Sequence, residues 1–423
     1  MEWARFREYA RRIQELRQRG TLDPPSPEVF LVIQLYTINK PLLPNLKTLV
    51  FREIGGWSIP FIPLLLSPRT TSVDLGFVPS LPASIAASMV TTLPTLCPNL
   101  QAIRLHSRPR DPTITATVSG TLLVTNRNTL QRLHVNFPFT EEASEVIYKL
   151  PNLRILSVVI ERETSLPSAS LPNQTDLTIK CDTEKDWPRL FHGATLGKLE
   201  SVTSNLRSKR IGDFLGALER AALSSSSSVQ NTLSKFSLFT SCSWDPNYSS
   251  LLPFTQLVDL DIQSSCDGEC SSRVDDDVVI NLSRAMPKLK FLKLGNEPCR
   301  QFTTGVTVKG LMALAHHCSS LSVLRIHFQV ASLSVPPASP GMTPNTKSTA
   351  EQWTDCALTE LQVGEIPVPE ESVLMVALTL LRLFPRIETI DGTDEGWMRV
   401  ENAICHSRGI IDRSSKQHLF TTP

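Results

Sequence analysis

The side chains best suited to chemistry are cysteines, histidines and clustered carboxylates, and their spacing argues against a reaction. Cys266-Asp-Gly-Glu-Cys270 sets two thiols within zinc-ligand spacing, with Cys299 further on. A structural zinc needs a tetrahedral set of four ligands, and no nearby histidine or fourth cysteine completes it, so the stretch reads as a loop whose thiols lie close. His316 and His317 fall on opposite flanks of a predicted helix that leads to Cys318. Asp275, Asp276 and Asp277 are consecutive, so one helical turn cannot aim all three at one ion; they read as a solvated cap. The chain has no Gly-rich phosphate loop, no dinucleotide fingerprint, no Gly-x-Ser-x-Gly and no His-Glu-x-x-His, so nucleotide, hydrolase and metalloprotease chemistry have no motif to rest on. The expectation is a protein that is not an enzyme, with no catalytic residue, no metal and no cofactor.

What the chain does contain is a repeated pattern. Leu150-Pro-Asn-Leu-Arg-Ile-Leu-Ser-Val158 places Leu153, Leu156 and Val158 so that the last two share one side of a short strand. The same arrangement returns at Pro44-Asn-Leu46, Pro98-Asn-Leu100, Thr129-Leu130, Thr232-Leu233, Leu257, Pro287-Lys-Leu289, Leu321 and Leu358. Weaker copies begin at Ser72, Gln174, Leu199 and Ile387. The mean period is about 28 residues, within the range of leucine-rich repeats, in which each unit supplies a strand and a returning helix or irregular segment. Helical apolar faces stand between the strands at 140–150, 274–286, 307–318 and 370–384. The predicted fold class is therefore α/β: a leucine-rich-repeat solenoid, a curved parallel sheet with helices on its convex side, of about 12–13 irregular units.

Around that array, residues 1–40 are expected to form capping helices, with Trp3, Phe6, Tyr9, Ile13 and Leu16 at helical spacing among arginines. The solenoid runs over 41–400, interrupted at 330–350 by a Pro-, Ser- and Thr-rich insertion expected to be disordered, and 401–423 reads as a tail. Phe239, Trp244 and Trp57 are candidate exposed anchors, with packing or loop pinning the better account. A chain of 423 residues with net charge +1 has no global attraction to nucleic acid or to an anionic membrane. Its nine cysteines show no regular pairing interval, as expected of reduced thiols in a cytoplasmic or nuclear protein. No apolar run is long enough to span a bilayer.

The outward positions of the strands form the candidate site. On a parallel sheet whose inner residues are buried, the alternate residues build a continuous exposed array. These are Arg104 and His106; Arg132, His134 and Asn136; Asp259, Asp261 and Gln263; Lys293; Arg325 and His327; and Glu360. The expected partner is a target protein on this concave face, met by a chain that is itself a monomer, with no nucleic acid and no membrane involved.

The Pro-Asn-Leu or Pro-Lys-Leu lead into each strand, the long irregular units and the opening Trp3-x-x-Phe6-x-x-Tyr9-Ala10-Arg11-Arg12-Ile13 resemble the leucine-rich region of fungal F-box-type proteins. The likeness covers roughly residues 1–400. It implies a substrate-recognition subunit of a Skp1-cullin-F-box ubiquitin ligase, in which the repeats hold a target while a Skp1-like adaptor docks on the F-box. No F-box precedes Trp3 in this sequence, so the resemblance implies a chain that has lost that module or a truncated form. The alternative is a stand-alone leucine-rich-repeat scaffold or inhibitor without ligase association.

Overall fold

The computed structural model describes residues 2–18, 29, 32–33, 35, 40–107, 114, 117–138, 141–160, 173–181, 198–206, 211–224, 229–240, 248–264, 274–296, 305–333, 356–364 and 366–418. The chain divides into two compact units, Met1–Leu199 and Glu200–Pro423. Each is an α/β repeat built on parallel strands that follow one another in chain order.

The first unit carries β1 (Glu15–Arg17), β2 (Thr48–Ile54), β3 (Ser72–Phe77), β4 (Ala102–His106), β5 (Arg132–Pro138), β6 (Ile155–Ile160) and β7 (Asp176–Cys181). Its longer helices are α1 (Glu2–Ala10), α2 (Ala83–Leu96) and α3 (Glu141–Tyr148), with a π-helical turn at Val118–Leu123. Every adjacent strand pair is parallel, and the pairing runs through Leu49, Val73, Ile103, Leu133, Leu156 and Leu177 as one continuous row, with register shifts only further along β2–β3 and β5–β6. All six are buried. That row is the physical content of the alternating pattern: a side-chain period of two puts one apolar residue per repeat on the inner face.

The second unit carries β8 (Ser201–Leu206), β9 (Lys235–Thr240), β10 (Asp259–Ser264), β11 (Phe291–Asn296), β12 (Val323–Ile326), β13 (Glu360–Gly364) and β14 (Thr389–Gly392). Its longer helices are α4 (Ile211–Ser224), α5 (Asp276–Ala285), α6 (Val308–His317), α7 (Val373–Leu383) and α8 (Glu395–His418). The equivalent inner row is Val202, Phe236, Leu260, Leu292, Leu324, Leu361 and Ile390, and all seven are buried.

The lead into each strand has its own job. Leu46, Leu100, Leu130, Leu153, Leu233, Leu257, Leu289, Leu321 and Leu358 are fully buried just ahead of their strands. An asparagine after the proline of the lead reaches back to the preceding turn: Asn45 Nδ2 donates to Arg11 O at 2.6 Å, Asn152 Nδ2 to Asn128 O at 2.7 Å and, in the Pro-Asn-Gln variant, Asn173 Nδ2 to Pro151 O at 2.8 Å. These bonds satisfy turn carbonyls left outside the strand ladder. At the same level Thr70 Oγ1 donates to Leu46 O at 3.0 Å and Thr129 Oγ1 to Leu100 O at 2.8 Å, while the buried thiols of Cys318 and Cys356 lie against Ser283 O and Cys318 O. Burial pushes the Cys97 thiol up to about 11 and that of Cys318 to about 12, so both are inert packing groups.

Three sequence expectations are corrected. The helix expected from the spacing of Trp3 through Leu16 ends at Ala10, and Glu15–Arg17 pairs with Thr48–Val50 as a strand ahead of the expected first one; the described residues thus hold fourteen strands. The repeat marker read at Ser72 belongs at Thr70, because Ser72 pairs with Thr48 and Ala102 and it is Thr70 that is buried where neighbouring repeats place leucine. Residues 401–418, read as tail, continue α8, whose Trp397, Val400 and Ile404 are buried at helical spacing; Trp397 Nε1 donates to Ile366 O at 2.7 Å. The remainder of the predicted cap beyond Gln18 and the insertion beyond Leu333 lie largely or wholly outside the described residues.

Asp275, Asp276 and Asp277 do not share a solvated role. Asp275 caps α5 by accepting from Val278 N at 2.9 Å. Asp276 accepts from Thr307 N at 2.7 Å, Thr307 Oγ1 at 2.6 Å and Gly310 N at 2.9 Å, tying α5 to the first turn of α6. Its carboxylate therefore satisfies backbone donors that a helix start leaves open. Among the described residues no helix is long and apolar enough to cross a membrane.

Candidate functional site

The open face of the first unit holds a groove of about 530 Å³ crossing all seven strands. Two rows of outward residues line it. One runs Thr48, Ser72, Ala102, Arg132 and Ile155; the next runs Arg17, Val50, Asp74, Arg104, His134, Ser157 and Thr178. Arg52 joins the lining from beyond a register shift in the β2–β3 pairing.

Asp74 is the centre of the arrangement. Its residue is only 8% exposed, and a buried carboxylate needs compensating charge and hydrogen bonds. Arg52 supplies both, with Nη2 2.8 Å and Nε 3.2 Å from Oδ2. Arg104 Nη1 stands 3.5 Å from the same oxygen, and His106 Nε2 lies 3.3 Å from Oδ1, within ion-pair range but off line for a hydrogen bond. Burial alone would raise the Asp74 carboxyl; the contacts with His106 and Arg52 overcome it and hold the group at about 2. The aspartate is ionised at neutral pH.

Gly76 makes this closure possible. It occupies the next outward position on β3, beside His106 of β4, and a Cβ there would sit 2.3 Å from the Arg52 carbonyl oxygen. The absent side chain lets the β2 backbone approach and leaves Arg52 and His106 free to close on Asp74 from two sides. His134 lies beyond, its ring 5.5 Å from that of His106. Burial, reinforced by the charge of Arg104 and by His106, lowers its pKa to about 4, so it is neutral at pH 7. Asn136 Oδ1 accepts from Ser107 N at 2.8 Å and fixes the end of β4.

Of the predicted positions, the structure therefore brings Arg104, Arg132 and His134 to one groove, sets His106 against its Asp74 and gives Asn136 a backbone role. In the second unit Asp261, Lys293 and Arg325 lie in register in one row. Asp259 and Glu360 lie one row earlier, in register with Phe291 and Val323, and burial together with Asp261 raises the Asp259 carboxyl. Gln263 donates to Asp261 Oδ1 at 2.7 Å. His327 follows β12 and packs against Gly295 and Gly364, whose φ angles of 124° and 68° suit residues without a side chain.

Three site residues escaped the sequence reading. Arg17 was hidden in the presumed helix, Arg52 follows the irregularity in β2, and Asp74 sits in the repeat whose marker was displaced. Asp74 nonetheless carried a signal, as a carboxylate between Val73 and Leu75 at an outward position. The Cys266–Cys270 stretch, Cys299 and Trp244 lie outside the described residues. Trp57 packs edge-on to Phe51 and Phe61 and pins its loop. His316 and His317 contact each other, with Nδ1 atoms 3.3 Å apart, rather than standing on opposite flanks.

No protein-family model matches the chain, and no curated protein matches it in sequence.

Proposed function

We propose that the chain is a leucine-rich-repeat solenoid without enzymatic activity that holds a partner protein on the open face of its first unit. The observation that carries this reading is the groove itself: arginine, aspartate, histidine, serine and threonine side chains in register over seven strands, on a face that the core does not use. Polar side chains presented by a stiff, hydrogen-bonded sheet lose little freedom on binding, which favours recognition of a large surface. The resemblance to the leucine-rich region of F-box-type proteins extends the proposal: the bound partner is a target presented to a Skp1-cullin ubiquitin ligase, with this chain, or a longer form of it, as the recognition subunit.

The test combines proximity labelling with affinity capture of the tagged chain, comparing wild type with Thr48→Trp, which places an indole inside the groove. A target recovered by wild type and lost with Thr48→Trp, together with a Skp1-like adaptor that stays in both samples, is the expected result. Recovery of the same proteins by both forms overturns the assignment to this face, and absence of the adaptor from both removes the ligase connection.

A further inference from the structure

The groove of the first unit is unbalanced in charge. Its lining includes Arg17, Arg52, Arg104 and Arg132 against one carboxylate, Asp74. Exposed Glu15 pairs with Arg17, and Asp74 engages Arg52 most closely, with Arg104 at 3.5 Å. That leaves Arg104 partly compensated, and among the described residues Arg132 makes no ion pair. The surplus is local, since the whole chain carries only +1. Asp74 acts here as an internal counter-ion that holds Arg52, Arg104 and His106 in fixed positions, which lowers the entropy lost when an anion docks.

The arginines are spread rather than convergent. Arg104 and Arg132 sit on adjacent strands, two residues out of register, which places their Cα atoms about 8 Å apart from strand spacing and rise. An extended segment repeats its same-side side chains about every 6.7 Å, so carboxylates at positions i and i+2 would meet these two guanidinium groups. Arg17 lies three strands from Arg104, about 14 Å, the reach of a further carboxylate four residues along. One compact anion could satisfy only part of this layout. Serial carboxylates on an extended strand satisfy it throughout.

We infer that the first unit's groove binds an extended acidic segment of a partner protein, with Arg104 and Arg132 taking alternate Asp or Glu side chains and Arg17 a third. This rests on the reading of that face as the partner-binding surface and names the chemistry it selects. Arg–carboxylate pairing in a partly enclosed groove supplies both orientation and attraction.

The test is fluorescence anisotropy of the full chain with three labelled ten-residue peptides: alternating Glu-Ser, its Gln-Ser counterpart, and a Gln-Ser peptide carrying one phosphoserine. The Glu-Ser peptide should bind, weaken by at least about tenfold in Arg104→Glu/Arg132→Glu, and weaken as salt rises. The Gln-Ser peptide should not bind. Circular dichroism and thermal melting of Arg104→Gln/Arg132→Gln, which removes charge without reversing it, guard against a folding defect; that variant should also lose the peptide. Equal affinity for Glu-Ser in the wild type and both variants, no binding of Glu-Ser at all, or preference for the single phosphoserine overturns the inference. If the cellular target is still captured by Arg104→Glu/Arg132→Glu and lost only with Thr48→Trp, the partner-binding face stands while its acidic specificity falls.

Discussion

Replacing Asp74 by asparagine separates the electrostatic account of the groove from a purely steric one. The carboxyl is held at about 2 against an ordinary 3.8, a difference worth about 2.4 kcal/mol at roughly 1.36 kcal/mol per unit. Arg52 and Arg104 are about half exposed, and solvent screening cuts the figure to about 1–2 kcal/mol. The folded-state pKa is depressed, so this stabilisation is complete above the unfolded value and is lost as pH falls from about 4 through about 2. Linkage with these two values leaves about half of it at pH 3. Urea unfolding followed by hydrogen exchange in peptides from β2 to β4, on wild type and Asp74→Asn at pH 7 and pH 3, measures the gap locally. A gap of about 1–2 kcal/mol at pH 7 that halves at pH 3 is expected. A gap of the same size at both pH values would refute the reasoning, because a packing defect does not titrate.

Four further outcomes follow from the same geometry. Gly76→Ala drives a Cβ to 2.3 Å from the Arg52 carbonyl and should cost about 1–3 kcal/mol as overpacking, measured by denaturant midpoint, with weakened binding of the Glu-Ser peptide. Leu260→Ala empties a fully buried position in the second unit's inner row and should cost about 2–5 kcal/mol in the same assay. His134, lowered to about 4 by burial and by Arg104, binds its proton less readily folded than unfolded, so acid destabilises the fold as pH falls from about 6.5 through about 4; His134→Asn should flatten that part of the stability profile. Asp276→Ala removes the acceptor of three bonds between α5 and α6 and should lower protection of the α6 amides by about 2–4 kcal/mol.

The fold was legible where chemistry and period coincide. Each leucine of the lead and each apolar residue of the inner row is selected by burial, so a two-residue alternation recurring about every 28 residues announces strands even through long insertions. It misled where a polar residue does an apolar residue's job. Thr70 is buried and donates to Leu46 O, and Gln174 is buried at the leucine position of its repeat; to a reader of hydropathy both look like surface. The three-residue β1 carries too few residues to show an alternation at all, and its arginine was counted with the helix before it.

The lining of the groove was legible only in part for a related reason. Outward residues of a strand are free of the core's constraint, so their types vary with what the face must do, and no period marks them. Arg104, Arg132 and His134 could be named because their strands were well marked and parity then fixed their side. What sequence could not supply is the register between repeats, which puts Asp74 of one strand beside Arg104 of the next and turns separate charges into one ordered cluster. Gly76 shows why: its meaning lies wholly in the Arg52 carbonyl that approaches from another repeat, 24 residues earlier in sequence. On the proposed reading, recognition is a property of adjacent repeats taken together, and a single-residue substitution at the junction of β2, β3 and β4 should alter binding more than a charge change at the end of the row.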